Sequence, residues 1–428
     1  MAHLNTLLSG ILLPALLIIS ALFFLIYLKG APLLRLFSNL RLLKHQSVRG
    51  ESPMRAVALA LAGTLGVGNL VGVAAALLEG GAGVLFWMWL SCFASMVMKF
   101  TEIKLGMAYR QVTKQGNFQG GAMFYMSKKA GRIFALLCLL CSLTVGCAMQ
   151  SSAFAGAILG KTACGFPGLL AGALLLLPLA AALYKGKSRL FDLTALIVPL
   201  MSALYIFLCM ILLIHHRTAL PQALFSVFKN AFYPKSALLG GGVSIFTVLR
   251  LGIVRGILSN EAGCGTAPMA HGTSGAESSD GQGALGMVEV AFDTLLLCSL
   301  TGLCLLVCPS SLEETSGISA LIHAFSSVFG GLAKPLLSLS IYFFAIATLL
   351  CWAFYGRQCL SFLFPKKKSD RIFDLLFCLT AFLAPLLAED AILSFADPII
   401  TLMTILNLYF LFKHRKDLRS SKPHKTKD

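Results

Sequence analysis

Apolar runs of about 20 residues, the length that crosses a hydrocarbon core, recur along this 428-residue chain from end to end. Inside lipid a spanning segment must satisfy its own peptide groups, and a helix does so internally. The reading is therefore an all-α polytopic membrane protein. Eleven transmembrane helices are expected, at about 8–28, 56–77, 84–106, 133–159, 168–184, 192–214, 240–265, 284–308, 333–356, 372–388 and 391–412. Only 12% of the residues are charged, against roughly a quarter in soluble domains, and no polar stretch is long enough to form such a domain. The first run, Leu7 to Leu28, has no positive segment before it and no small-residue cleavage site after it. It is read as a retained helix rather than a signal peptide. The stretch 215–239 is too polar to span, and it places Leu220, Leu224, Phe225, Phe228 and Phe232 at helical spacing. It is expected to lie along the outer interface, and 312–330 to form a short external helix or hairpin.

The formal charge is +17, but its distribution argues against nucleic acid. With the loop after the first span taken as cytoplasmic, the segments on that side hold 28 Lys and Arg and those on the other hold 5. Arg250 and Arg255 lie within a span. Such asymmetry is the positive-inside pattern, and it places the N-terminus outside and the C-terminus in the cytoplasm. The tail "KHRKDLRSSKPHKTKD" (413–428) is expected against anionic lipid headgroups; no aromatic alternates with its charges, as nucleic-acid binding would favour. Nearly all of the 13 cysteines fall within apolar spans. The CxxC spacing at Cys138 and Cys141 lacks a second pair or a histidine at zinc spacing, so buried free thiols are expected.

Glycine, among the poorest residues for a helix interior, concentrates in two spans. "GTLGVGNLVGV" (63–73) carries Gly63, Gly66, Gly68 and Gly72; the other is "GGGVSIFTVLRLGIVRGILSNEAGCGTAP" (240–268). With the first helix taken as an addition, these become helices one and six of a ten-helix core, the spacing of two five-helix repeats. Five is odd, so the repeats run in opposite senses through the membrane. Broken helices at matching positions of inverted repeats point to a transporter binding site. An unwound stretch at mid-membrane survives only where it lines a cavity or binds something polar. Its half-helix N-termini attract a carboxylate, and its freed carbonyls attract a cation. The alternative is close helix packing, for which Gly63, Gly68 and Gly72 also have small-xxx-small spacing. Asn69, a mid-span amide that both donates and accepts, tips the reading toward a site.

Charges inside expected spans include Arg250, Arg255, Glu261, Glu289 and Asp293. Such groups are costly in lipid and are expected to face the bundle interior. Arg255 and Glu261 are six apart and share no face of an unbroken helix, so a break or partners from other helices are required. In "SNEAG" (259–263), Ser259 or Asn260 is placed to cap a half-helix. His215 and His216 fall at the outer rim, and His271 near a cytoplasmic loop.

The residues "GTLGVGNLVGVAAALLEGGAGVLFWMWL" (63–90), "KFTEIKLGMAYR" (99–110), "RLGIVRGILSNEAGCGTAPMAH" (250–271), "VAFDTLLLCSLTGL" (290–303) and "FFAIATLLCWAFYG" (343–356) resemble, in order, the signature of the alanine-or-glycine:cation symporter family. The resemblance runs from about residue 55 to 412. It implies a fold like that of the bacterial leucine transporter, with a ten-helix inverted-repeat (5+5) core plus one N-terminal helix and two broken helices. The implied organisation is an N-terminal helix and basic loop (1–55), a core (56–412, with repeats at about 56–214 and 240–412) and a basic tail (413–428). By similarity, Thr64, Gly66, Gly68 and Asn69 supply the first-helix part of the substrate and ion sites. The carbonyls of Ala62 and Leu65 face a sodium ion, and "AIAT" offers the Ala345 carbonyl and the Thr348 hydroxyl from across the site. Hard, neutral oxygens suit that ion. Gln150 matches a glutamine of the family and reads as a substrate contact, with an interhelical hydrogen bond as the alternative. Trp352 walls a small pocket, with a packing or interfacial tryptophan as the alternative, and Leu251 and Gly252 close it over a small side chain.

Three positions depart from the family pattern. Ala82 stands where proline is common and Ala347 where serine is common, and the usual asparagine before Gln150 is missing.

The implied activity is secondary-active symport in the inner, or plasma, membrane. A small neutral amino acid, L- or D-alanine or glycine, enters by alternating access with Na⁺ as the coupling ion and no other cofactor. A proton-coupled permease of the same fold is the alternative, with Asp293 as its carrier. No HExxH or GxSxG motif and no paired catalytic carboxylates support an enzyme, and nothing in the sequence sets an oligomeric state.

Overall fold

Ser52 and Pro53 start the first core helix. The Ser52 hydroxyl accepts the Arg55 backbone N–H at 3.3 Å, and proline at the first helical position has no N–H to leave unpaired. The computed structural model describes residues 8–44, 50–113, 116–160, 165–233, 244–365, 368–387 and 389–419. Its helices are α1 (Leu13–Tyr27), α2 (Pro53–Thr64), α3 (Val71–Gly80), α4 (Gly83–Ala108), α5 (Lys128–Leu143), α6 (Gln150–Leu159), α7 (Phe166–Tyr184), α8 (Lys187–His215) and α9 (Leu220–Phe232). They continue as α10 (Ile245–Asn260), α11 (Ala267–His271), α12 (Ser279–Val290), α13 (Ser299–Leu306), α14 (Gly317–Phe329), α15 (Ala333–Leu363), α16 (Lys368–Leu383) and α17 (Glu389–Lys413). The short helices Ala31–Leu34 and Leu36–Arg41 follow α1.

Both glycine-rich stretches interrupt their helices. α2 and α3 are bent by 65° across a 3₁₀ turn at Val67–Asn69. α10 ends at Asn260, because Glu261 is left-handed at φ 53° and Gly263 and Gly265 follow at φ 83° and 80°. Two further helices run on through π turns rather than breaking. Thr144–Met149 joins α5 to α6, and Ala291–Cys298 joins α12 to α13; such wide turns gather at functional positions.

α4 packs along α10 and α12, and α15 along α2, α5 and α8. Glycine permits close approach in these contacts: a Cβ on Gly256 would overlap the Ser91 hydroxyl. α9 lies against α4 with Phe225, Phe228 and Phe232 exposed, and α14 occupies most of 312–330.

The expectation of eleven spans is not matched one for one. Among the described residues eight helices are long and apolar enough to cross a membrane, or nine with the bent pair counted as one span. Two expected spans correspond to α10 and α16, each 16 residues, short of the ~20 a straight crossing needs. Three of the 28 charges on the cytoplasmic side are buried within helices: Lys99 and Lys104 in α4 and Arg357 in α15. Without them the asymmetry is 25 against 5, and its sign is unchanged. The twelve described cysteines are free thiols, Cys138 and Cys141 buried among them.

Candidate functional site

A cavity of about 380 Å³ opens where the two breaks meet, lined by Thr64, Gly66, Gly68 and Asn69 of the first and Glu261, Cys264 and Thr266 of the second. Gln150, Trp352, Arg255 and Asp397 also line it. The 3₁₀ turn leaves peptide groups outside the helical pattern, and side chains take them up. Gly66 N–H folds back on the Thr64 carbonyl at 2.9 Å. Val67 N–H donates to Gln150 Oε1 at 3.1 Å, while Gln150 Nε2 reaches the Val145 carbonyl at 3.3 Å. Gln150 therefore fastens the first break to the π turn preceding it. A Cβ on Gly66 would sit 3.0 Å from Gln150 Oε1 and 3.3 Å from Thr348 Oγ1, whereas one on Gly68 would meet nothing within 4 Å. Gly66 is the point of close packing, and Gly68 faces the open space.

Thr348 stands across from the first break. Its hydroxyl lies 3.4 Å from the Leu65 carbonyl and 3.0 Å from that of Phe344. Ala62, Leu65 and Ala345 are fully buried beside it. The oxygens gathered here are neutral, and among the described residues no group of three or more His, Cys, Asp or Glu is placed to hold a metal ion. Trp352 is 2% exposed, and a Cβ on Gly146 would overlap its ring, so the π turn seats the indole against the cavity.

Leu251 and Gly252 are not brought to the cavity. Gly252 packs its bare face on α4 at Val84 and Trp87, and Leu251 lies against Gly80. α10 turns these positions toward α3 and α4, which the glycine count alone does not reveal.

The sequence profile of the sodium:alanine symporter family matches residues 1–418. The chain belongs to that family. Its members are transporters, not enzymes, and this symporter is a multi-pass membrane protein of the leucine-transporter-like fold. It is 30% identical to the sodium/alanine symporter AgcS of Methanococcus maripaludis, over 85% of this chain and 83% of that one. It is also 30% identical to the probable sodium/glutamine symporter GlnT of Bacillus subtilis, over 95% and 86%. Among solved structures, a Na⁺-coupled sialic acid symporter superposes with a TM-score of 0.60 at 12% identity, covering 92% of this chain and 87% of that one. A nucleobase-cation-symport-1 family transporter gives 0.52 at 13%, covering 88% and 84%.

The charges of this symporter's core form a connected buried system. Asp293, in the second π turn, accepts from Asn69 Nδ2 at 2.5 Å, Ser259 Oγ at 2.7 Å and Thr294 Oγ1 at 2.9 Å. Asn260 Oδ1 accepts the Ala262 N–H at 3.1 Å, so the asparagine of "SNEAG" caps the turn while the serine serves Asp293. Lys99 Nζ donates to the Asn260 carbonyl at 2.8 Å and lies 3.0 Å from Glu289 Oε1. Glu289 Oε2 also meets His271 Nε2 at 2.8 Å. The ammonium thus sits at the C-terminal end of the half-helix α10, where the helix dipole favours a cation. Glu102 Oε2 accepts the Gly265 N–H at 2.9 Å and an Asn407 N–H at 3.2 Å, which ties the second break to α4 and α17.

Lys99, Glu102 and the His271–Glu289 contact escaped the sequence reading. The signal available was the spacing of Lys99 and Glu102 in "KFTEIK", one helical turn apart and continuous with an apolar span.

Proposed function

We propose that this symporter couples inward Na⁺ movement to uptake of a small neutral amino acid, alanine of either hand or glycine. The observation that carries the reading is the meeting of the two breaks at one cavity, with Thr348 beside the Leu65 carbonyl. In this reading the substrate carboxylate meets the peptide N–H groups around Gly66 and Gly68, with Thr64 and Asn69 beside them. Its amine meets freed carbonyls and Gln150, and Trp352 limits the side chain. Na⁺ takes the carbonyls of Ala62, Leu65 and Ala345 and the Thr348 hydroxyl. It joins α2 to α15, so ion binding pre-organises the substrate site. Leu251 and Gly252 take no part in that cradle. The protein lies in the cell's inner, or plasma, membrane, N-terminus outside and C-terminus cytoplasmic. Within the repeats at about 56–214 and 240–412, the bundle that holds the two broken helices rocks against the other helices as a scaffold.

The test is uptake of labelled alanine into proteoliposomes with and without an imposed Na⁺ gradient, with glycine, D-alanine and glutamine as competitors. Concentrative uptake that needs Na⁺ and is blocked by glycine supports the proposal, and uptake indifferent to Na⁺ ends it. Proton coupling is the second reading, favoured by the buried Asp293 carboxylate beside the first break. It predicts uptake driven by a pH gradient alone and lost in Asp293→Asn.

A further inference from the structure

At the end of α1 remote from the N-terminus, four cationic side chains converge on a second cavity of about 320 Å³. Lys29, Arg35, Lys104 and Arg419 line it, against a single carboxylate, Asp280. Lys104 is paired with Asp280 at 2.6 Å. The side chains of Lys29 and Arg35 make no hydrogen bond or ion pair among the described residues. Arg419 spends its guanidinium on the Tyr27 ring, 4.0 Å from the centroid, and on the Tyr27 carbonyl at 3.2 Å. The cavity therefore carries an unbalanced positive field.

The positions of these side chains are fixed by the fold. The turn after Lys413 is anchored on α4 where Tyr109 Oη donates to Asp417 at 2.8 Å, and this brings Arg419 to the end of α1. Lys29 and Gly30 are both left-handed, at φ 55° and 71°. A lysine there is in a conformation that costs an L side chain energy, and the turn carries its ammonium to the cavity. The segments that supply Lys29 and Arg35 also bare apolar side chains next to them in sequence: Ile26, Leu34 and Phe37 are 77%, 83% and 77% exposed. Cations lining the cavity and bare aliphatic and aromatic groups on the same segments match a molecule with an anionic head and hydrocarbon chains. This end of the protein is also the side that the charge asymmetry marks as cytoplasmic, where anionic lipids bind basic pockets between helices.

We infer that this cavity binds the phosphate of an anionic phospholipid, with the acyl chains lying along the exposed face of α1. Bound there, the lipid bridges α1, α4, the start of α12 and the turn at 417–419, and fastens the N-terminal helix to the core. The ligand chemistry, a phosphate oxyanion, is shared with free inorganic phosphate; the exposed apolar side chains beside Lys29 and Arg35 select the lipid.

The test is native mass spectrometry of the purified protein from mixed micelles of phosphatidylglycerol and phosphatidylcholine. The variants are Lys29→Gln/Arg35→Gln/Arg419→Gln and a charge-matched control, Lys128→Gln/Lys129→Gln/Arg132→Gln, in exposed basic residues elsewhere. The wild type is expected to retain phosphatidylglycerol over phosphatidylcholine. The cavity variant loses that preference by about tenfold or more, and the control keeps it. Equal retention by wild type and cavity variant, or equal loss in the control, overturns the inference. Displacement of the lipid by millimolar inorganic phosphate also overturns it, and assigns the cavity to the free anion.

Discussion

Asn69 donates its amide N–H to the Asp293 carboxylate at 2.5 Å across 224 positions of sequence. The contact ties the first break to the second π turn, and Ser259 brings α10 to the same carboxylate. Three elements that line or flank the cavity thus share one acceptor. Asn69→Ala removes one donor and leaves a buried carboxylate short of a partner, at a cost of roughly 1–3 kcal/mol. The variant is expected to reach the membrane folded and to lose alanine uptake in proteoliposomes by at least about tenfold. Wild-type uptake from Asn69→Ala would remove this residue from the site.

Gly66 and Gly68 separate packing from ligand access. Alanine at 66 presses on Gln150 and Thr348, and overpacking of a tight site costs about 1–3 kcal/mol. Gly66→Ala is expected to lower the unfolding temperature and abolish uptake together. Gly68→Ala meets nothing within 4 Å and is expected to leave the unfolding temperature unchanged. Its methyl group enters the cavity, so the KM for alanine rises more than that for glycine. Thermal unfolding in detergent and initial uptake rates distinguish the two, and an equal rise for both substrates would place Gly68 away from the substrate side chain.

Thr348 offers the test of the ion site. Thr348→Ala deletes the hydroxyl beside the Leu65 carbonyl, and a bond to a charged partner is worth about 1.5–3 kcal/mol. The Na⁺ concentration for half-maximal uptake is expected to rise about tenfold or more, while Thr348→Ser stays near wild type. Titrating uptake against Na⁺ at saturating alanine measures this, and an unchanged half-point in the alanine variant places the ion elsewhere.

How much of this was legible follows from the range of each interaction. The breaks are legible because glycine's poor helix propensity is local and the stretch from Gly63 to Gly72 is short. The first turn's reliance on Gln150 is half legible: a mid-span glutamine demands a polar partner, but nothing in the chain names Val67. The Asn69–Asp293 bond is invisible because it joins positions 224 apart through a π turn that no periodicity announces. Lys99 is not legible as a core charge because "KFTEIK" resembles the polar end of a span, while its partners lie on α10 and α12. That Leu251 and Gly252 face α3 and α4 depends on the rotation of α10 about its axis, which its two glycines do not fix.

The Lys99–Glu289 pair yields the sharpest stability prediction. Both side chains are 1% exposed, and the ammonium also satisfies the last carbonyl of α10. Removing one member of a buried pair leaves an uncompensated charge, at a cost of about 3–5 kcal/mol. Lys99→Met strands Glu289 with His271 as its remaining partner and frees the Asn260 carbonyl. It is expected to lower the unfolding temperature sharply in detergent. Lys99→Met/Glu289→Gln removes the stranded charge while keeping an acceptor for His271, so part of the loss is recovered. The unrecovered part measures the bond to Asn260. A double variant as unstable as Lys99→Met alone would show that the ammonium acts on the helix end and not on the carboxylate. An unchanged unfolding temperature in Lys99→Met would deny the buried cluster any share in stability.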